Sequence, residues 1–311
     1  MIELWFAVIA FLWTGYFVLE GFDFGVGMLA PVVSRTADEQ RASLQTIGPV
    51  WDGNEVWLIT AVGAMFAAFP AWYAGMFSAF YLPVFLVLVG LIVRGVGLEW
   101  RGKVNDPFWC DLGIVVGSAL PAFLWGAIFA DLLYGSAPAA LLGGAFTLAV
   151  CALHGAVFLA LKTTGAVRRR ARTTALAAGA VAIPVAVFAL SSLGTLPALA
   201  AMAALAAAAA LTWRRREGWA FAATAAAIVL ATLAVFMELR LRPLPGLTLA
   251  EAASGAYTLT VLSWIGLITL PFILLYQGWT YWVFRKRVQV PGTQKPGTQR
   301  PGAQVAGAPP R

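Results

Sequence analysis

Apolar runs of about 18 residues or more, the length that crosses a bilayer as a helix, recur along almost all of this 311-residue chain. They are continuous rather than alternating, which argues against the strands of a membrane barrel. Inside hydrocarbon a backbone finds no water, so a spanning segment must be a helix or part of a closed barrel. The composition agrees: 61% of residues are hydrophobic and 11% charged, with a mean hydropathy of +0.82, whereas a soluble domain carries about 25% charge. The expected fold class is all-α, a polytopic membrane helical bundle. A dinucleotide-binding enzyme, a secreted disulfide scaffold and a nucleic-acid-binding domain are excluded.

Breakers at Gly48-Pro49, Phe69-Pro70, Asp106-Pro107, Pro138, Gly194 with Pro197, and Pro243-Leu244-Pro245-Gly246 divide the chain. They predict nine spans, at 2–31, 53–69, 75–98, 112–133, 139–161, 172–193, 196–213, 219–240 and 254–284. Basic residues follow every odd-numbered span: Arg35 and Arg41, then Arg101 and Lys103, Lys162 and Arg168–Arg172, Arg214–Arg216, and Arg285–Arg287. At the even-numbered ends stand only Arg240 and Arg242. The positive-inside rule then puts the N-terminus outside and the C-terminus in the cytoplasm. Residues 1–289 read as one transmembrane domain. Residues 290–311, with their repeated Pro-Gly-Thr-Gln, read as a disordered cytoplasmic tail. Residues 175–232 are Ala-rich and suit close helix packing in lipid.

Ionisable groups within a membrane are costly and ask for a reason. Glu20 and Asp23 lie three apart on the first span, on one helical face. At ~1.5 Å rise per residue they sit in the cytoplasmic third of a ~30 Å core. Asp52, Asn54 and Glu55 open the second span from the same side, and Arg94 and Glu99 close the third. Topology therefore gathers Glu20, Asp23, Asp52, Glu55 and at least one arginine at one membrane depth, where they can hold and pass protons or can pin three helices together. An acid in a first turn, such as Asp52, is also an ordinary capping device. Gly21 and Gly25 have a small-xxx-small spacing that lets a neighbouring backbone approach. One histidine, His154, and six scattered methionines offer no pair of axial haem ligands. The residues show no metal-ligand spacing, and Cys110 and Cys151 fall at different depths. No cofactor is expected on this chain alone.

Three runs carry a family resemblance: Glu20-Gly21-Phe22-Asp23-Phe24-Gly25-Val26-Gly27, Trp51-Asp52-Gly53-Asn54-Glu55-Val56-Trp57-Leu58 and Arg94-Gly95-Val96-Gly97-Leu98-Glu99-Trp100-Arg101. Together they resemble subunit II of cytochrome bd-type quinol oxidases, over about residues 1–135. The rest is similar only in helix count and hydropathy. The resemblance implies a multi-pass protein of the bacterial inner membrane, paired with a related subunit I. That partner would carry two haems b, a haem d and the quinol-oxidising loop, and small accessory subunits could join. The complex would oxidise quinol and reduce dioxygen to water, drawing protons from the cytoplasm without pumping. Asp23 matches an acid on the family's proton pathway, with Asp52 and Arg94 near its entrance. Glu20 stands where relatives often carry Asp. Some relatives also hold a structural quinone. From the acids alone, a proton-coupled secondary transporter or a purely scaffolding membrane subunit would serve as well.

Overall fold

The computed structural model describes residues 1–289; the expected tail at 290–311 lies outside the described residues. Twelve helices follow one another: α1 (Ile2–Val33), α2 (Ala37–Leu44), α3 (Trp51–Ala68), α4 (Pro70–Ala79), α5 (Tyr81–Trp100), α6 (Phe108–Tyr134), α7 (Ala137–Lys162), α8 (Gly165–Ser191), α9 (Leu196–Trp213), α10 (Glu217–Leu241), α11 (Leu249–Ala252) and α12 (Ala256–Val283). Apart from an isolated bridge between Leu244 and Leu247, there is no β-pairing among the described residues. Eight helices are long and apolar enough to cross a membrane. The expected second span, α3, has a spanning length of 18 residues. Its polar first turn, Asp52, Asn54 and Glu55, keeps its mean hydropathy below theirs.

The predicted third span, 75–98, is two helices instead, α4 and α5, broken at Phe80. Pro83 has no N–H to return to Ala79, so a continuous helix is interrupted there. The sixth span begins earlier than expected because Arg168–Arg172 continue the helix of α8 rather than forming a loop. The short α2 and α11 were not anticipated. Thr36 caps α2 by accepting from the Glu39 N–H, and Thr248 with Glu251 closes a capping box on α11.

α1 is the central post and packs against α3, α6, α7 and α10. Its crossing with α7 is backbone on backbone: a Cβ on Gly25 would stand 2.0 Å from the Cys151 carbonyl oxygen and 2.7 Å from the Gly155 Cα. Gly21 is less constrained, its nearest neighbour being the Cys151 Sγ at 3.7 Å. One end of the core is aromatic, with Trp13 edge-on to Trp125 at 4.8 Å and Tyr16 accepting from the Trp125 Nε1 at 3.0 Å. The α8–α10 end is built instead from Ala175, Ala182, Ala186, Ala201, Ala227 and Leu205.

Ion pairs sort the helix ends into two layers. Glu3 and Arg240 meet at 2.7 Å at one end. At the other, Arg170 pairs with Glu39 at 2.5 Å, Arg168 with Glu217 at 3.0 Å, and Lys162 donates to the Phe284 carbonyl. The basic residues that follow the odd-numbered spans thus collect at a common face.

Candidate functional site

Near that basic face, α1, α3, α5 and α12 converge. Glu20 and Asp23 are fully buried on adjacent turns of α1, beside Gly21, Gly25 and the close α7 crossing. Arg94, also fully buried, comes from α5 and Asn54 from the first turns of α3. Two tryptophans fix α3 in place. The half-buried Trp51 lies against α5 at Gly95, 3.4 Å from where its Cβ would stand, and Trp57 covers Gly15 of α1. Gly53 lets α12 approach, with the Gln277 Oε1 at 3.6 Å from its would-be Cβ.

Arg94 Nη2 donates to Glu55 Oε1 at 2.6 Å and pairs with Glu20. Its guanidinium also lies 5.0 Å from the centre of the Phe24 ring, a cation–π position. Asn54 Nδ2 donates to Asp23 Oδ2 at 2.7 Å. Glu55 is the partly open member, with 24% of its side chain exposed. One guanidinium therefore pairs with two carboxyls, and a third, Asp23, is buried one turn along α1. Buried charge must be compensated in the membrane, and this group is neutral only when two of the three carboxyls carry protons. Such an arrangement can hold exchangeable protons, and Glu55 is its partly exposed member.

Asp52 and Glu99 do not join this group. Asp52 is exposed on the first turn of α3, without an ion pair or side-chain hydrogen bond among the described residues, and the cap residue is Val50. Glu99, five residues beyond Arg94, points ~140° away around the helix. It faces Lys103 at 3.8 Å instead, and Arg101 turns to Asp111 at 2.5 Å. Two residues absent from the sequence reading complete the site: Gln277 Nε2 and the Tyr281 hydroxyl donate to Asn54 Oδ1 at 2.9 and 2.8 Å. Gln277 is the one side-chain amide in the apolar α12. A polar group in a span was the available signal, but its partner lies 223 positions away.

His154 is fully buried, with Nδ1 2.6 Å from the Thr224 hydroxyl and Nε2 3.1 Å from the Val18 carbonyl. Both ring nitrogens are engaged, and Phe221 stacks on the ring at 4.6 Å. Among the described residues no group of three His, Cys, Asp or Glu could hold a metal ion.

The sequence model of the cytochrome bd terminal oxidase subunit II family matches residues 1–284. The chain belongs to that family. Similar to it is subunit 2 of the Bacillus subtilis cytochrome bd ubiquinol oxidase, 38% identical over 92% of this chain and 96% of that one. Subunit 2 of the Escherichia coli K12 cytochrome bd-I ubiquinol oxidase is 32% identical over 92% of this chain and 94% of that one. A chain of the bd oxidase structure from Geobacillus thermodenitrificans shares the fold, with a TM-score of 0.75 at 18% identity, covering 92% of this chain and 99% of that one. This subunit II is accordingly a multi-pass protein of the bacterial inner membrane and part of a quinol oxidase complex, a terminal oxidase with a partner subunit I. The family implies haems in that complex.

Proposed function

We propose that this subunit supplies a cytoplasmic proton route to the oxidase and stabilises subunit I, which carries the two haems b and the haem d. In this reading it crosses the membrane nine times, with the N-terminus outside and the basic face in the cytoplasm. Protons enter at Glu55, with the exposed Asp52 as a collecting charge at the rim. They are held among Glu20 and Asp23, with Arg94 as the fixed counter-charge and Asn54 as the hydrogen-bond partner of Asp23. The observation that carries the proposal is a fully buried arginine paired with the buried Glu20 and the partly open Glu55, with a second buried carboxyl, Asp23, one turn away. Dioxygen reduction consumes protons, and the haem chemistry itself is supplied by the groups of the complex. This chain's residues exchange a proton at the Glu55 and Asp23 carboxyls and exclude water around them.

A purely scaffolding role would use the same ion pairs, and one variant separates the two. Asp23→Asn keeps the shape and removes the exchangeable proton. The proton route predicts normal haem content with oxygen consumption lowered about a hundredfold, the low end of what a positioned acid–base group contributes. Unchanged oxygen consumption with normal haem content ends the proton-route reading, and loss of haem assigns Asp23 to assembly.

A further inference from the structure

Asn54 is a fork with chemically different tips, and α12 decides which tip meets the acid. An amide oxygen only accepts and an amide nitrogen only donates. Here the oxygen receives two donors, Gln277 Nε2 at 2.9 Å and the Tyr281 hydroxyl at 2.8 Å, one for each lone pair. The nitrogen is thereby turned to Asp23 Oδ2, 2.7 Å away. Rotating the amide by a half-turn would set its nitrogen against the Gln277 Nε2 donor, oblige the Tyr281 hydroxyl to accept instead of donate, and set the carbonyl against Asp23. A carbonyl opposite that acid suits only the protonated carboxyl, which has an O–H to give. The orientation of the amide and the proton on Asp23 are thus linked.

We infer that Gln277 and Tyr281 are positioning residues that lock the Asn54 amide with its nitrogen toward Asp23. The lock keeps Oδ2 of Asp23 as an acceptor and leaves Oδ1, buried and without a hydrogen-bond partner among the described residues, as the atom that takes the proton. The inference rests on the reading of Asp23 as a proton-carrying group. The lock is mounted on the helix with the least apolar burial, since Leu259 is the one fully buried residue of α12. That helix is held largely by polar ties: Trp5 Nε1 reaches the Leu259 carbonyl at 3.1 Å and Ser263 at 3.0 Å at its far end. How α12 is seated therefore sets the amide. The other groups around Asp23 are Glu20 of α1, Glu55 of α3 and Arg94 of α5. On α7, Cys151 lies behind Gly21, and the nitrogens of His154 are engaged elsewhere.

The test uses the intact oxidase with Tyr281→Phe, Gln277→Met and the double variant. The readout is the infrared carboxyl band of Asp23, assigned as the band that Asp23→Asn removes and followed against pH. Either single change leaves one donor on Oδ1 and shifts the band modestly. The double change frees the amide, and the protonated band persists to higher pH, with proton affinity raised at least about fivefold, the worth of one net hydrogen bond. The double shift exceeds the sum of the singles. A band that titrates identically in parent and double variant overturns the lock, as do single shifts that each equal the double. If the double variant loses its haem spectrum, Tyr281→Phe is read alone, and an unmoved band overturns the inference. Should Asp23→Asn leave oxygen consumption unchanged while Tyr281→Phe still moves the band, the proton route fails and the lock stands.

Discussion

The α1–α6 region and the α8–α10 region are both bundles of apolar helices, yet they hold together by different means. Around α1 the core is bulky and polar at one level: Trp13, Tyr16 and Trp125 above, and four fully buried polar side chains, Glu20, Asp23, Asn54 and Arg94, below. In α8–α10 alanines meet alanines, and the one buried acid, Glu217, sits at the edge between Arg168 and Arg172. Small residues give smooth faces that associate through many weak contacts. Each buried polar group of the first region depends instead on a specific partner, and losing that partner leaves an orphan in low dielectric. The first region is built around a site, whereas the second is built to pack.

That contrast can be broken most forcefully at the arginines. Arg94→Met strips Glu20 and Glu55 of their counter-charge and is expected to cost about 3–5 kcal/mol, the loss seen when one partner of a buried pair is removed. Arg168→Met, at a pair with a 34% exposed arginine, should cost less than about 1 kcal/mol. Thermal unfolding of the solubilised complex, with haem retention followed alongside, measures both, and equal losses would erase the distinction. Glycine substitutions sharpen it next. Gly25→Ala drives a methyl into the Cys151 carbonyl at 2.0 Å and should destabilise by about 3 kcal/mol. Gly179→Ala meets nothing closer than the Ala209 Cβ at 3.6 Å, so helix propensity should make it neutral or stabilising by up to about 1 kcal/mol. The smallest effect lies at the surface tie between the regions. Arg170, hydrogen-bonded to Glu39, holds that carboxyl below its ordinary value of 4.5, against a weaker opposing effect of burial. A depressed folded-state value stabilises at neutral pH and ceases to do so as the pH falls through it. The melting-temperature difference between the parent and Glu39→Gln should therefore narrow below pH 4.5.

Much of this was legible in the chain. The apolar runs and their breakers located the long helices to within a few residues, except where Pro83 splits the third and where Arg168–Arg172 extend the sixth. Periodicity and charge placed Glu20, Asp23, Asn54, Glu55 and Arg94 at one depth, because helix rise converts residue number into height. Height is not azimuth, however. Asp52 and Glu99 share that level and face elsewhere, and Gln277 and Tyr281 reach Asn54 from a helix more than two hundred residues on.

The order of apolar and basic segments by itself determined a helical membrane bundle with all but two of its arginines ending or following odd-numbered spans, because a backbone in hydrocarbon must satisfy its own hydrogen bonds and charge avoids lipid. Only the tertiary structure decided which carboxyls share Arg94 and which way the Asn54 amide points. Those are set by how α3, α5 and α12 rotate about α1, a rotation fixed by the packing of Trp51 on Gly95, Trp57 on Gly15 and Gly25 on Gly155.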